Sequence, residues 1–348
     1  MSTLSTTGLH PSRPALSPRH SIGVVIPSYK VRNHILDVIA AMGPEVTRIY
    51  VVDDCCPDGS GDFVAEHCND GRVEVLRHRQ NQGVGGAVMT GYQAAIRDGI
   101  DIAIKIDGDG QMDPSLIPAF VDPIIRGQAD YTKGNRFYDL TYISSMPLLR
   151  LLGNGGLSFI TKVSSGYWDL FDPTNGYTAI HTGVAKHLPM DKISRRYFFE
   201  TDMLFRLNTL RAAVIDIPMH AKYGDEISGL KVGKVAWEFF AKNIRNTLKR
   251  IFYNYYLRGM SPASLELPAG LLMLAFGLGY GSYQWIASVT SGVTASSGTV
   301  MLAAMPTLVG IQLLLAFLSM DMASTPKRSI HPRLASFALD RPKPDSGA

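Results

Sequence analysis

The stretch KIDGDGQMDP, Lys105–Pro114, decides the fold. Ahead of it runs the apolar segment Ile102–Ile106, short enough for a buried strand, and from Pro114 a helical pattern continues to Arg126. Asp107 and Asp109 therefore stand just past a strand end. The glycines at 108 and 110 let the backbone turn sharply enough for both carboxylates to face one point. Hard oxygen ligands of this kind suit Mg²⁺ or Mn²⁺, which keep positions open for substrate phosphates and need only one or two protein carboxylates. In isolation a DGD is more often an Asp-Gly turn with solvated acids, so its surroundings carry the argument.

Outward from this stretch, short apolar strands alternate with helical patterns. Strands are predicted at Ile22–Pro27, Arg48–Val52 and Val73–Arg77, besides Ile102–Ile106. Helices are predicted at Asn33–Met42, Gly61–Cys68, Val84–Arg97 and Pro114–Arg126. This is the pattern of an α/β fold with a doubly wound, mostly parallel sheet. Ligands of such sheets bind outside the carboxyl ends of the strands. Pro27, Ser28 and Tyr29 end the first strand, Asp53 and Asp54 the second, and Asp107 and Asp109 the fourth. No GxGxxG follows the first strand and no GxxxxGK[ST] occurs, which argues against a dinucleotide fold and a P-loop. The run NQGVGGAVMTG at 81–91, with Gly83, serves either to cradle a phosphate or to allow close packing at a helix start.

The chain has 348 residues and a formal charge of +4, too mild to point to nucleic acid. Charged residues make up 18%, low for a soluble protein, because apolar sequence is concentrated near the C-terminus. No charged residue occurs between Glu266 and Asp321. Two spans fit there, 267–287 and 300–320, each about the length that crosses a hydrocarbon core of roughly 30 Å. A small, polar link, SVTSGVTASSGT, makes them a hairpin. Lys242, Arg245, Lys249, Arg250 and Arg258 precede the first span, and Lys327 and Arg328 follow the second. The positive-inside rule puts both flanks, and with them both termini and the α/β part, on the cytoplasmic side of the inner (plasma) membrane, as a multi-pass protein. Residues 1–20 lack a signal-peptide core and read as a disordered tail. Cys55, Cys56 and Cys68 have no metal-ligand spacing and read as reduced packing thiols.

Four motifs in order, VVIPSYK at 24–30, VVDDCCPDGS at 51–60, NQGVGGAVMTG at 81–91 and DGDGQMDP at 107–114, resemble those of inverting family 2 glycosyltransferases with a GT-A fold. The likeness is to the branch of dolichyl-phosphate mannose synthases and bacterial polyprenyl-phosphate glycosyltransferases. It implies that Pro27 and Tyr29 line the nucleotide base, that Asp53 or Asp54 bonds base or ribose, and that Asp107, Asp109 and Gln111 hold the metal. KGNRF at 133–137 is similar to a segment that would set Arg136 against phosphate. DPTNGYTAI at 172–180 looks like the family's sugar- and acceptor-side segment, led by Asp172. FFETDML at 198–204 stands where relatives carry a Glu-Asp base, here split by Thr201, which leaves open whether Glu200, Asp202 or neither acts, with Asp202 the one carried as catalytic candidate. EISGLK at 226–231 resembles a segment whose Lys231 would meet a phosphate. Lys30 and Val31 replace the family's usual Asn and Glu, and the QxxRW motif of processive synthases is absent, which favours transfer of a single sugar.

The expected domain order is a GT-A domain at 21–230, a juxtamembrane amphipathic helix at 231–262, the hairpin at 263–322 and a cytoplasmic tail at 323–348. Residues 232–258 put Phe240, Ile244, Leu248, Ile251 and Tyr255 on one helical face and Lys242, Arg245 and Lys249 on another, a pattern suited to a headgroup layer. Met146–Val163 is a second interfacial candidate. The expected partners are a nucleotide-sugar donor, a polyprenyl phosphate acceptor and membrane lipid, with no nucleic acid. Neither UDP nor GDP is chosen by the sequence, and a homo-oligomer is left open. The alternatives are an acceptor on a diphosphate-linked lipid or a protein, or an inactive membrane scaffold that kept the fold.

Overall fold

The computed structural model describes residues 20–138, 148–172, 175–220 and 232–334. Lys231, almost all of the N-terminal tail and the last residues of the C-terminal one lie outside these. Strands β1 (Ile22–Ser28), β2 (Val46–Asp53), β3 (Val73–Arg77), β4 (Ile102–Lys105), β5 (Tyr131–Asn135), β6 (Thr178–His181) and β7 (Val214–Pro218) form one sheet. Their order is β3-β2-β1-β4-β6-β5-β7. β6 runs antiparallel to β4 and β5, and the other pairings are parallel.

The central strands read as unbroken apolar runs because both faces of the sheet are covered. β4 is buried at every residue, and β1 at all but Pro27. Side chains alternate across the sheet, so Val25 joins Tyr92, Met203 and Leu204 on one face. Val24 and Ile26 join Ile35, Phe120 and Ile124 on the other. The predicted Val73–Arg77 strand and Val84–Arg97 helix are found with those bounds. The helix expected from Pro114 begins as a 3-10 turn, Pro114–Leu116, capped by Asp113, and becomes α-helical over Ile117–Ile125. The segment expected to be interfacial is helical over Leu148–Ser165 despite its glycines.

A long helix, Val232–Phe252, leads through a π-helical turn, Tyr253–Leu257, into two helices, Pro262–Ser291 and Ser297–Ala323. Both of the last pair are long and apolar enough to cross a bilayer, and most of each lies unburied within the chain. Leu272, Trp285, Leu308 and Leu315 point outward, all 60% exposed or more. The pair packs through small residues. A Cβ at Gly277 would stand 2.3 Å from Thr307 Oγ1, and one at Gly310 would stand 2.7 Å from Leu274 N. Only glycine lets the two backbones come so close, the usual means of joining helices where no hydrophobic drive distinguishes them from lipid.

A buried clamp fixes this hairpin to the sheet domain. Arg250 Nη1 and Nη2 donate to Asp321 Oδ1 and Oδ2 at 2.7 and 2.9 Å. Tyr255 OH donates to Oδ1 at 2.6 Å and Trp168 Nε1 to Oδ2 at 2.9 Å. Arg250 also donates to Val163 O at 2.9 Å. A second attachment follows the hairpin. Asp130, fully buried, accepts hydrogen bonds from the backbone N–H of Ala213, Ile330 and His331, and its carboxylate lies 2.8 Å from His331 Nδ1. Ser329 Oγ donates to Gly127 O, and the His331 ring stacks on His181 at 4.2 Å. The segment expected as a tail after residue 323 is thus bonded to the sheet domain as far as these residues.

Candidate functional site

At the carboxyl ends of β1, β2 and β4 lies a cleft of about 560 Å³, lined among others by Pro27, Tyr29, Asp54, Gly83, Asp107, Asp109, Arg196 and Tyr197. Three strand ends meet there as the sequence implied. Tyr29, at the rim, is 45% exposed.

The β4 end carries the charge. Lys105 is buried and pairs with Asp107 Oδ1 at 2.8 Å, while the Asp107 side chain keeps 31% of its surface open. Asp109 Oδ1 accepts a hydrogen bond from Gln111 N at 2.9 Å. Gln111 thus contributes its backbone to Asp109, and its side chain is not among the residues lining the cleft. Two carboxylates on the wall of an open cleft fit a hard divalent cation. Among the described residues no group of three His, Cys, Asp or Glu forms a closed metal site, so such a cation would complete its coordination with water or substrate oxygens.

Asp53 and Asp54 act on the chain itself. Asp53 Oδ1 accepts from Cys56 N at 2.7 Å and Oδ2 from Gly61 N at 2.8 Å, and Asp53 does not line the cleft. Asp54 lies 2.7 Å from His78 Nδ1 and accepts from Gln82 N and Gly83 N, both at 2.7 Å. Strand pairing leaves both carboxylates at the end of β2, next to loops rich in unpaired N–H groups, and those groups take them up. Both carboxylates thus hold the loops around them, and of the two it is Asp54 that also lines the cleft. Cys56, expected as a packing thiol, accepts from Lys30 N at 3.1 Å and lies 3.1 Å from Ser60 Oγ.

The Gly-rich run resolves toward packing. Gly83 has φ +83°, and a Cβ there would stand 2.5 Å from Arg195 O. That carbonyl accepts from Gly85 N at 2.9 Å and Gly86 N at 3.3 Å. The helix N-terminus is therefore committed to the loop at Arg195, and it is this contact that brings Arg196 and Tyr197 to the cleft. Neither residue carries a sequence signal beyond adjacency to FFETDML.

Glu200 and Asp202 sit in the first turn of the helix Phe199–Leu210. Two residues apart on a helix, they point to nearly opposite sides. Burial pushes the Glu200 carboxyl up to about 7, against the opposing charge of Lys105 and with the aid of Asp107. Its charge therefore acts on Lys105 and Asp107, while Glu200 itself does not line the cleft. Asp202, favoured from the sequence as base, faces away. Its Oδ2 accepts from Ser194 N at 2.9 Å and its Oδ1 from Asn246 Nδ2 at 3.1 Å, toward the juxtamembrane helix.

Arg136 and Asp172 are brought together, in a two-pronged pair at 2.7 and 2.9 Å, and neither lines the cleft. Burial would raise the Asp172 carboxyl, but the Arg136 hydrogen bonds and the charges of Lys133 and Arg136 hold it below the usual carboxylate range. Lys133, itself buried at the middle of β5, is pushed down by burial, opposed by Asp172 and Asp216. Lys231 lies outside the described residues.

The mostly parallel seven-stranded sheet, with paired carboxylates past a central strand, is the GT-A-like fold that the four motifs imply. Residues 23–188 match glycosyl transferase family 2, and the chain belongs to that family. A UDP-N-acetylglucosamine–dolichyl-phosphate N-acetylglucosaminyltransferase of Methanococcus voltae is 30% identical, covering 58% of this chain and 86% of its own. An undecaprenyl-phosphate mannosyltransferase of Micrococcus luteus is 29% identical, covering 56% and 81%. Among solved structures, glucosyl-3-phosphoglycerate synthase of Mycobacterium tuberculosis, in complex with Mn²⁺, UDP-glucose and phosphoglyceric acid, superposes with a TM-score of 0.51. It is 17% identical, covers 67% of this chain and 80% of its own, and shares the fold.

Proposed function

We propose that this glycosyltransferase moves one sugar, with inversion, from a nucleotide sugar to the phosphate of a polyprenyl phosphate at the cytoplasmic face of the inner membrane. One observation carries the reading: the cleft bearing Asp107 and Asp109 belongs to a domain clamped through Arg250 and Asp321 to a hairpin of bilayer length. The Methanococcus and Micrococcus relatives, named for lipid-phosphate acceptors, support it. So do the basic residues on both flanks of the hairpin, which favour cytoplasmic termini.

In this reading the exposed Tyr29 ring takes the base, with Pro27 beside it. Asp107 and Asp109 would hold Mg²⁺ or Mn²⁺, which when bound supplies charge neutralisation to the leaving diphosphate. Arg196, on the cleft wall, meets phosphate oxygens. A phosphate monoester is largely ionised near neutral pH, so its oxygen attacks the anomeric carbon without first losing a proton. The new bond forms as the bond to the diphosphate breaks, and the nucleoside diphosphate leaves. No base at the position of Asp202 is required. Glu200 instead sets the charge next to Lys105 and Asp107, and the Arg136–Asp172 pair steadies the end of β5.

The test is mass spectrometry of lipid products. Membranes holding the full chain receive undecaprenyl phosphate and a panel of UDP- and GDP-sugars. A hexosyl undecaprenyl phosphate is expected from one donor. Absence of a hexosyl undecaprenyl phosphate with every donor, together with sugar appearing on protein or on a diphosphate-linked lipid, overturns the acceptor.

A further inference from the structure

A second cavity, of about 360 Å³, opens on the other side of the loop that carries Arg196. It is lined by Lys192, Arg206, Lys242, Arg245 and Lys249, with Asp202 as the one lining carboxylate among the described residues. Asp202 is already committed to Ser194 and Asn246. Arg206 donates through Nη2 to Lys192 O at 2.7 Å, while its buried Nε makes no hydrogen bond and lies 3.7 Å from Asp202. Lys242 pairs with Glu238 at 2.6 Å and reaches Ser194 Oγ at 3.5 Å. Such a concentration of cations repels itself unless an anion offsets it.

The position of the cavity names the anion. On the helix Val232–Phe252, Trp237, Phe240, Ile244, Leu248 and Phe252 form an exposed apolar stripe, each 41% exposed or more. Asn243, Asn246 and Arg250 form the buried face. At about 100° per residue, Lys242, Arg245 and Lys249 fall between the two, on the border of the apolar stripe. A stripe of that kind, a few residues before a helix of bilayer length, lies in the headgroup layer. The cationic border then stands at the level of lipid phosphates.

We infer that this cavity is a binding site for the phosphate head group of an anionic bilayer phospholipid, separate from the donor cleft. Lys192, Ser194 and Phe198 line it while Arg196 and Tyr197 line the cleft, so the two sites share a wall and no lining residue. The inference does not depend on which acceptor the enzyme uses.

Titration calorimetry of the full chain in neutral detergent tests it, with water-soluble dihexanoylphosphatidylglycerol, dihexanoylphosphatidylcholine, inorganic phosphate and undecaprenyl phosphate as separate probes. The phosphatidylglycerol is expected to bind at least tenfold tighter than the phosphatidylcholine. A Lys242→Gln/Arg245→Gln/Lys249→Gln variant should lose roughly 100-fold of that affinity, at about 1 kcal/mol per basic residue, and 0.5 M salt, on the order of several times physiological, should compress the difference. The variant's affinity for UDP- or GDP-sugar should stay at the wild-type value, which reports an intact fold. Equal binding of the two phospholipids, or unchanged binding by the variant, overturns the site. Inorganic phosphate binding as tightly as the lipid overturns the lipid assignment, and binding of undecaprenyl phosphate alone overturns it in favour of an acceptor site.

Discussion

Asp107 and Asp321 each pair with a buried base, yet the two pairs are built for different ends. Asp321 and Arg250 both keep only 2% of their side-chain surface, and the two Asp321 oxygens take four donors from Arg250, Tyr255 and Trp168. Lys105 is as deeply buried, but Asp107 keeps 31% open to the cleft. A carboxylate whose acceptor sites are filled by its own chain is structural, and one left open beside a cavity has capacity for a ligand. Asp54, whose oxygens take His78, Gln82 and Gly83, stands nearer to Asp321 in this respect.

Mutations should divide along this line. Asp109→Ala is expected to lower transfer by about 1000-fold or more, roughly 4 kcal/mol of barrier, with the thermal midpoint unchanged. Activity that survives, or a collapsed midpoint, would place Asp109 with the structural carboxylates. Asp321→Ala should do the reverse, costing about 3–5 kcal/mol by leaving Arg250 buried and unpaired. Urea unfolding in detergent would show it, and the double change Arg250→Met/Asp321→Leu should recover most of the loss. Asp54→Ala lies between: it strands buried N–H groups at about 1–3 kcal/mol, and loosening Gly83 should raise the donor KM about tenfold in steady-state assays.

The smallest effect is the most diagnostic. The Glu200 carboxyl is raised to about 7, so it gains its negative charge as pH rises through neutrality. That charge lies close enough to Asp107 to strengthen the hold on a cation. The metal concentration giving half-maximal activity should therefore fall a few-fold from pH 6 to pH 8, and Glu200→Gln should flatten that dependence. Between the ordinary carboxylate value of 4.5 and about 7 Glu200 is protonated in the fold alone, so its contribution to stability is fully present at low pH and is lost as pH rises through about 7. An unchanged profile in the Gln variant would remove Glu200 from the site.

Periodicity made the central sheet legible because its strands are buried on both faces and bounded by Asp, Gly and Pro. The hairpin was legible for the opposite reason: length without charge needs no partner to interpret. β5, β6 and β7 were not predicted, and β6, only four residues at Thr178–His181, shows no pattern of its own and owes its pairing to β4 and β5. The hydrogen bonds of Asp54 were hidden because its donors, His78, Gln82 and Gly83, come from a loop elsewhere in the chain, whereas those of Asp53 come from the residues that follow it, Cys56 and Gly61. Helix phase could have separated Glu200 from Asp202, two residues apart, had the start of that helix been placed. Arg196 and Tyr197 could not be found, because Gly83 and Gly85 bring their loop in by backbone contact alone.

The return of residues 329–331 to Asp130 makes the hairpin an excursion from the catalytic domain rather than an anchor hung from its end. A soluble fragment cut before Pro262 would lose more than its hold on the bilayer. It would leave the Asp130 carboxylate buried with Ala213 N but without the N–H groups of Ile330 and His331 or the His331 ring, and Arg250 without its counter-ion. Cleavage within the polar link near Gly292, by contrast, would keep both attachments, and two such fragments expressed together should reassemble into working enzyme.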